Sequence, residues 1–378
     1  MMMIRSLILL LPLHLSVEAW MRPAIGASPR SATTRLHESS TRRDWISSVL
    51  VSSAAMTLAP STSQAMDVIT TTAVCDPTVS VWRRGDRIIY LLGTAHISSV
   101  SANLAAELVH DTHPDAVFVE LDLKRVGGVP LAKGTPSSTR LDIETTSSDG
   151  TPTRIVVPVP SKSSVVVADS PAEAAAVTRT PDAPPSGLGI RQKLLGFGAA
   201  AVGNAIRGMY KNIENSGFQP GDEFVQAIKE GQKIGAAVVL GDQDVEVTLR
   251  RLTEALAQTD LNKLIDPDSD LERSMKELLP GGGNGSPEDF KNELSSYVET
   301  IKTRDNVKRI MAQLKEVAPA LVQVMLTERD AYMSAGLDTL NDFSVVTAVM
   351  GLAHVDGVER NLKSKGWQQA PLKCPTRA

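Results

Sequence analysis

Arg87-Ile88-Ile89-Tyr90-Leu91-Leu92-Gly93-Thr94-Ala95-His96 is the stretch on which the fold turns. Its apolar run is too short for a helix and is bounded by Arg and Gly, so it reads as a buried strand that ends in Gly-x-x-His. The pattern returns near the C-terminus, where Val345-Val346-Thr347-Ala348-Val349-Met350 runs into Gly351-Leu352-Ala353-His354. Two imidazoles thus leave two strand ends in the same way, and one paired site is expected. In each motif the glycine is expected to let the backbone turn sharply off the strand without a Cβ clash.

Outward from these motifs, short apolar strands alternate with helical spacing. Residues 79–82 and 87–92, split by Arg83-Arg84-Gly85-Asp86, predict a hairpin, residues 98–110 a helix and residues 116–121 a strand. A helix to residue 234 opens at Gly221-Asp222, a strand over 236–240 ends in Gly241-Asp242, and residues 245–258 are helical again. Residues 287–335 predict a long helical region broken at Pro319, followed by a strand over 343–350 and an amphipathic stretch over 358–365. This alternation defines an α/β fold.

Open α/β sheets bind ligands at the carboxyl ends of their strands. Those ends here supply His96, Glu120, Asp242 and His354. Two neutral imidazoles and a carboxylate form a three-ligand set that leaves a divalent metal ion an open position for water. The ion lowers the pKa of that water and makes a nucleophile at neutral pH. His96 and His354 with one of the carboxylates Glu120 and Asp242 are therefore the candidate metal ligands.

Residues 127–187 collapse into Gly, Pro, Ser and Thr and read as a low-complexity insertion, disordered or loosely packed, either a lid or an ornament. Within it, residues 154–159 are a short β-type piece that would form a hairpin with residues 164–168. Residues 194–210 are apolar and rich in small side chains, and read as a buried helix rather than a membrane-touching one. Cys75 and Cys374 have no metal-site spacing; a bridge between the two ends of the chain and two free thiols both fit.

The first 65 residues read as a targeting presequence in three parts. Residues 1–19 form a signal peptide, with Arg5 before an apolar run and Val17-Glu18-Ala19 as a cleavage site. Residues 20–40 are rich in Ser, Thr and Arg and poor in acids, like a plastid transit peptide. Residues 41–65 carry Arg42-Arg43, an uncharged stretch and Ser63-Gln64-Ala65, like a twin-arginine signal for the thylakoid lumen. A single secretory signal with a loose stub is the alternative, leading to the secretory pathway. Residues 66–378 are then the mature domain. The presequence contributes +3 to the formal net charge of −4, which leaves −7 for the mature chain. That balance, dispersed basic residues and 4% aromatics exclude a nucleic-acid-binding stripe. No run of about 18 apolar residues follows Met66, so no membrane span is expected in the mature chain.

Gly93-Thr94-Ala95-His96-Ile97-Ser98, Val119-Glu120-Leu121 with Arg125, Leu240-Gly241-Asp242 with Thr248 and Arg250-Arg251, Glu328-Arg329-Asp330 with Met333, and Gly351-Leu352-Ala353-His354-Val355-Asp356-Gly357 together resemble the TraB family, also called TraB/PrgY. The resemblance implies a mixed central β-sheet flanked by helices, here with the long insertion. It also implies kinship with the Tiki proteases and the erythromycin-esterase-like and ChaN-like proteins, in which two Gly-x-x-His motifs and a Glu form the active-site core. Tiki members act as metal-dependent peptidases. Carried onto this sequence, His96, Glu120 and His354 are metal-ligand or catalytic positions, and Arg125, Arg329 and Asp242 line the site. Glu328 would help to order it within a buried Glu-Arg-Asp ion pair rather than lie on a solvated face. Asp122 and Gln243 depart from the family pattern, which has Cys after Glu-Leu and Arg after Gly-Asp. The expected function is a plastid metal-dependent hydrolase with a divalent metal cofactor and a peptide or small-molecule substrate. The alternative is a module of the same fold that holds a ligand without turnover.

Overall fold

Strand side chains alternate between two cores, one on each face of the sheet. A computed structural model describes residues 68–95, 99–126, 140–146, 152–160, 165, 221–260, 263 and 303–374. The chain runs through β1 (Val79–Arg84), β2 (Arg87–Thr94), α1 (Ser99–Thr112), β3 (Ala116–Val119), α2 (Leu123–Val126), β4 (Arg140–Thr146), β5 (Pro152–Pro158), α3 (Asp222–Lys233), β6 (Ala237–Leu240) and α4 (Val245–Gln258). It continues through α5 (Arg304–Val317), α6 (Pro319–Val322), a π-helical turn (Gln323–Thr327), α7 (Glu328–Thr339), β7 (Val345–Gly351), α8 (Leu352–Ser364) and β8 (Gln368–Gln369).

In β2, Ile88, Tyr90 and Leu92 enter one core and Ile89 and Leu91 the other. The first core is closed by Leu104, Ala105, Leu108 and Val109 of α1 and by Phe224, Ala227 and Ile228 of α3, whose i, i+3 and i+4 spacing makes one apolar stripe per helix. The second is closed by α4 through α8, for example by Leu252, Ile310, Met333 and Val358. Strands covered on both faces read as unbroken apolar runs, which is why β3 is Ala-Val-Phe-Val with every residue buried. Each fully buried large apolar side chain contributes roughly 1.5–3 kcal/mol.

The sheet is mixed, in the order β4-β5-β6-β3-β7-β2-β1-β8. Its centre is parallel, and β1, β4 and β8 make antiparallel edges. The last long strand, β7, lies between β2 and β3 and parallel to both. This insertion aligns the two Gly-x-x-His motifs on adjacent strands, with Gly93 opposite Met350 and Thr94 opposite Gly351. It also lays the end of β3, which leads into Glu120, on the other flank of β7, where Glu120 N donates to Val349 O at 3.2 Å.

Several sequence expectations need correction. The stretch 127–187 is not wholly separate from the fold: β4 and β5 belong to the sheet, and Ile155 and Val156 of β5 are fully buried against β6. The hairpin partner of β5 is β4, which precedes it, rather than residues 164–168. Gly351 does not lead into a loop but precedes α8 directly, with φ −59° and ψ 138°, so His354 lies in the first turn of a helix. Gly93 is required for close approach rather than for turning. A Cβ there would stand 2.4 Å from Leu352 Cδ1 and 2.8 Å from Val355 Cγ2, so the second motif's helix packs onto the first motif's strand. The presequence, His96, residues 194–210, residues 287–302 and the rest of the insertion lie outside the described residues.

Pro319 acts as expected: α5 ends at Val317 and Pro319 takes the first turn of α6, where its missing N–H costs nothing. No described helix is long and apolar enough to cross a membrane. Cys75 and Cys374 are bonded, with Cα atoms 5.6 Å apart. The tail before Cys374 covers the free side of β1 through β8 and through Ala370 N, which donates to Val81 O at 2.8 Å. Close to Cys75, the Thr78 carbonyl accepts from the backbone N–H of Gly93 at 3.0 Å, so the tied end of the chain holds the first motif.

Candidate functional site

Glu120, Asp242 and His354 converge at the carboxyl ends of β3, β6 and β7, and α7 closes over them. Arg329 of α7 is fully buried and connects two of the strand ends. Its Nε donates to Asp242 Oδ1 at 3.0 Å, and its Nη2 donates to Asp242 Oδ2 at 2.6 Å and to Glu120 Oε1. The second Glu120 oxygen, Oε2, accepts the backbone N–H of Gly351 at 2.7 Å. Glu120 Oε1 lies 3.2 Å from His354 Nε2, and His354 Nδ1 lies 2.5 Å from Asp330 Oδ1.

Arg125 completes the cluster from α2, where Nη2 donates to Asp242 Oδ2 and Nε to Asp122 Oδ1 at 3.1 Å. Asp122 has a structural task. Its Oδ1 accepts the Arg125 backbone N–H at 2.8 Å and its Oδ2 that of Val245 at the start of α4, so it joins two helix beginnings instead of adding a carboxylate beside Glu120. Gln243 turns to Thr248 Oγ1, 3.2 Å from Nε2. Glu328 lies apart from the cluster, bound by Arg251 with Nη2 to Oε1 at 2.5 Å and Nε to Oε2 at 3.2 Å.

Charges removed from water persist only when paired, and the pKa directions express this pairing. Burial alone would raise Asp242, but Arg329 and Arg125 outweigh it and hold its carboxyl below the usual carboxylate range. Burial works against charge on Arg125 and Arg329 too, yet Asp242 leads the opposing carboxylates and both guanidiniums are held more firmly protonated than usual. Burial pushes Asp330 up, opposed by His354. For His354, burial disfavours the imidazolium, Glu120 overcomes this, Arg329 opposes and Asp330 adds, so its pKa is pushed up to about 9.

No protein-family model matches the sequence. Among curated proteins, the chain is similar to an uncharacterized protein of Methanocaldococcus jannaschii, 25% identical over 276 residues, covering 73% of this chain and 53% of that protein. It is similar as well to the TraB domain-containing proteins of human and mouse, each 25% identical, over 301 and 299 residues that cover 72% of this chain and 62% of theirs. These similarities support membership of the TraB family. It spans between half and two thirds of the length of these relatives.

Of the TraB-family positions anticipated from sequence, Glu120, Arg125, Asp242, Arg329 and His354 meet in one cluster, Glu328 lies beside it, and His96 lies outside the described residues. Sequence reasoning missed Asp122 as the joint between α2 and α4 and Asp330 as the neighbour of His354. It also missed Glu223, a buried carboxylate of α3 whose Oε1 is 3.4 Å from the hydroxyl of Thr94 in the first motif. The only signal for Glu223 was its place at the start of an amphipathic helix, which any surface acid shares.

Among the described residues, no group of three or more His, Cys, Asp or Glu side chains is placed to hold a metal ion. Two of the three expected donors are side by side, however. Tetrahedral ligands about 2.0–2.1 Å from an ion stand roughly 3.3 Å apart, which the separation of His354 Nε2 and Glu120 Oε1 matches. The same separation is that of a direct ion pair between imidazolium and carboxylate, so the described residues supply two candidate donors and not a complete ligand set.

Replacing Arg329 with Met is expected to destabilise the protein by about 3–5 kcal/mol in urea unfolding, because Asp242 and Glu120 lose a buried partner. Lys124→Ala, which breaks only exposed pairs with Asp244 and Glu246, is expected to cost less than about 1 kcal/mol. Equal losses in the two variants would contradict the central place of Arg329.

Stability is also expected to decline at both ends of the pH scale. His354, raised when folded, contributes fully below its ordinary value of 6.5, and this share is lost as pH rises through about 9. Asp242, lowered when folded, contributes above the ordinary Asp value, and its share is lost as pH falls through the depressed one. Urea midpoints measured across this range test both slopes. The alkaline slope should be missing in His354→Gln, and its persistence there would assign it to another group.

Proposed function

We propose that the chain is a metal-dependent hydrolase acting on peptides or related small molecules, with His96, Glu120 and His354 as donors to one divalent ion. The observation that carries this reading is the 3.2 Å approach of Glu120 Oε1 to His354 Nε2 at the ends of neighbouring strands.

When bound, the metal supplies a water activated at neutral pH. The protein's own groups set the stage for that chemistry. The Gly351 N–H fixes Glu120 Oε2 and so turns Oε1 toward His354. Arg329 neutralises Glu120 and Asp242 together and prevents the two carboxylates from driving each other apart. Arg125 donates to the same Asp242 oxygen as Arg329 and ties the β6 end to α2. A binding module without turnover is the second reading, favoured by the depth of the cluster, in which Glu120, Asp242, Arg329 and His354 are all at most 3% exposed.

Purified protein is expected to carry about one equivalent of divalent metal, to lose it in His96→Ala and in His354→Ala, and to cleave members of a peptide library only when loaded. Full metal content in both variants would remove the ligand assignment. Metal without cleavage of any peptide would move the chain to the binding module.

Residence in the plastid, and there in the thylakoid lumen, belongs to the same proposal. It is supported by the three-part reading of residues 1–65 and by the Cys75–Cys374 bridge, because disulfides persist in oxidising compartments. A fluorescent fusion carrying residues 1–65 should enter the plastid, and changing Arg42 and Arg43 to Lys should block the lumenal step alone. Secretion of the fusion into the medium would refute this route and support the secretory alternative.

A further inference from the structure

Gly357, one turn past His354 on α8, has no space for a side chain. A Cβ there would lie 1.9 Å from Asp330 Oδ2, 2.6 Å from Asp330 Cγ and 3.0 Å from Asp330 Cβ. The Asp330 carboxylate is thus seated on the backbone of α8, and its other oxygen, Oδ1, lies 2.5 Å from His354 Nδ1. Both residues are buried.

Asp330 reaches this seat through an unusual local register. Glu328, Arg329 and Asp330 are consecutive and all buried, yet each meets a different partner: Arg251, the Glu120–Asp242 pair, and His354. They follow directly on the π-helical turn Gln323–Thr327, where the wider turn shifts the residues after it around the helix axis. One turn of α7 thereby serves both strand ends and the imidazole of α8.

We propose that Asp330, seated on Gly357, is the positioning residue of this site: it engages Nδ1 of His354 and so aims Nε2 at Glu120. Carboxylates face both ring nitrogens, Asp330 at Nδ1 and Glu120 at Nε2, so the ring plane is held from its two ends. With Nδ1 engaged, the ring cannot turn over, and the opposite nitrogen is the one aimed into the cluster. A carboxylate behind an imidazole also strengthens the far nitrogen as a ligand, and loss of such a partner weakens metal binding by about 10–100-fold. The orientation of the ring stands on geometry alone, whereas its effect on metal affinity rests on the proposed metal site.

The test has two readouts. In the full-length protein labelled with 15N-histidine, with the His354 signals assigned by their disappearance in His354→Gln, Nδ1 should carry a hydrogen bonded to a carboxylate. An unprotonated Nδ1 in the wild-type protein would overturn the proposal, and this measurement needs no variant to fold. In zinc titrations, Asp330→Asn and Gly357→Ala should both bind about 10–100-fold more weakly than wild type. Gly357→Ala keeps the carboxylate but pushes it from its seat, so it separates position from charge. Wild-type zinc affinity in Gly357→Ala, with the Nδ1 signal unchanged, would also overturn the assignment. If the wild-type protein takes up no zinc, the metal reading fails by itself and the Nδ1 signal alone decides the role of Asp330.

Discussion

One guanidinium holds the strand ends together. Arg329 reaches from α7 to Asp242 beyond β6 and to Glu120 beyond β3, and the Gly351 N–H at the end of β7 grips the other Glu120 oxygen. Placing these charges out of water is costly, and only their mutual pairing offsets that cost. The helix that carries Arg329 must therefore lie where it does. The break at Pro319, the π-helical turn and the packing of α7 on α8 are the local arrangements that bring it there.

The site also depends on the order in which strands occupy the sheet. β7 is near the end of the chain, yet it lies between β2 and β3, which are formed from residues more than two hundred positions earlier. The Arg329–Glu120 and Gly351–Glu120 contacts span 209 and 231 residues. The Gly351–Glu120 contact requires β7 to lie beside β3 in the sheet. The two Gly-x-x-His motifs begin on neighbouring parallel strands, and the Gly93 gap receives Leu352 and Val355 from the helix of the second.

Much of this was legible in the sequence because burial on both faces leaves a direct trace. The runs that became β2, β3, β6 and β7 are apolar throughout and end in Gly or an ionisable residue, so both the α/β class and the strand-end cluster could be read. β4 and β5 were harder. Their alternation is diluted by Thr, Arg and Asp in a stretch of low complexity, so β5 was legible only as the short β-type piece 154–159, and its pairing with β4 and β6 was not. Asp122 and Asp330 were equally hidden, because a carboxylate next to a site has the same sequence signature whether it binds a ligand, caps a helix or braces an imidazole. His354 was legible as a site residue, but the helix around it was not, since Gly351 marks a strand end and a helix start alike.

The bridge between Cys75 and Cys374 turns the folded part of the chain into a covalent ring, with the low-complexity stretch as one arc of its circumference. A ring can be opened once without coming apart. A single cut in that arc leaves β2 and β3 on one piece and β6 and β7 on the other, still joined at the bridge, so the cluster keeps its partners at the concentration of a tethered pair. A cut between residues 166 and 187 therefore leaves the molecule one covalent unit, as long as the bridge stays oxidised.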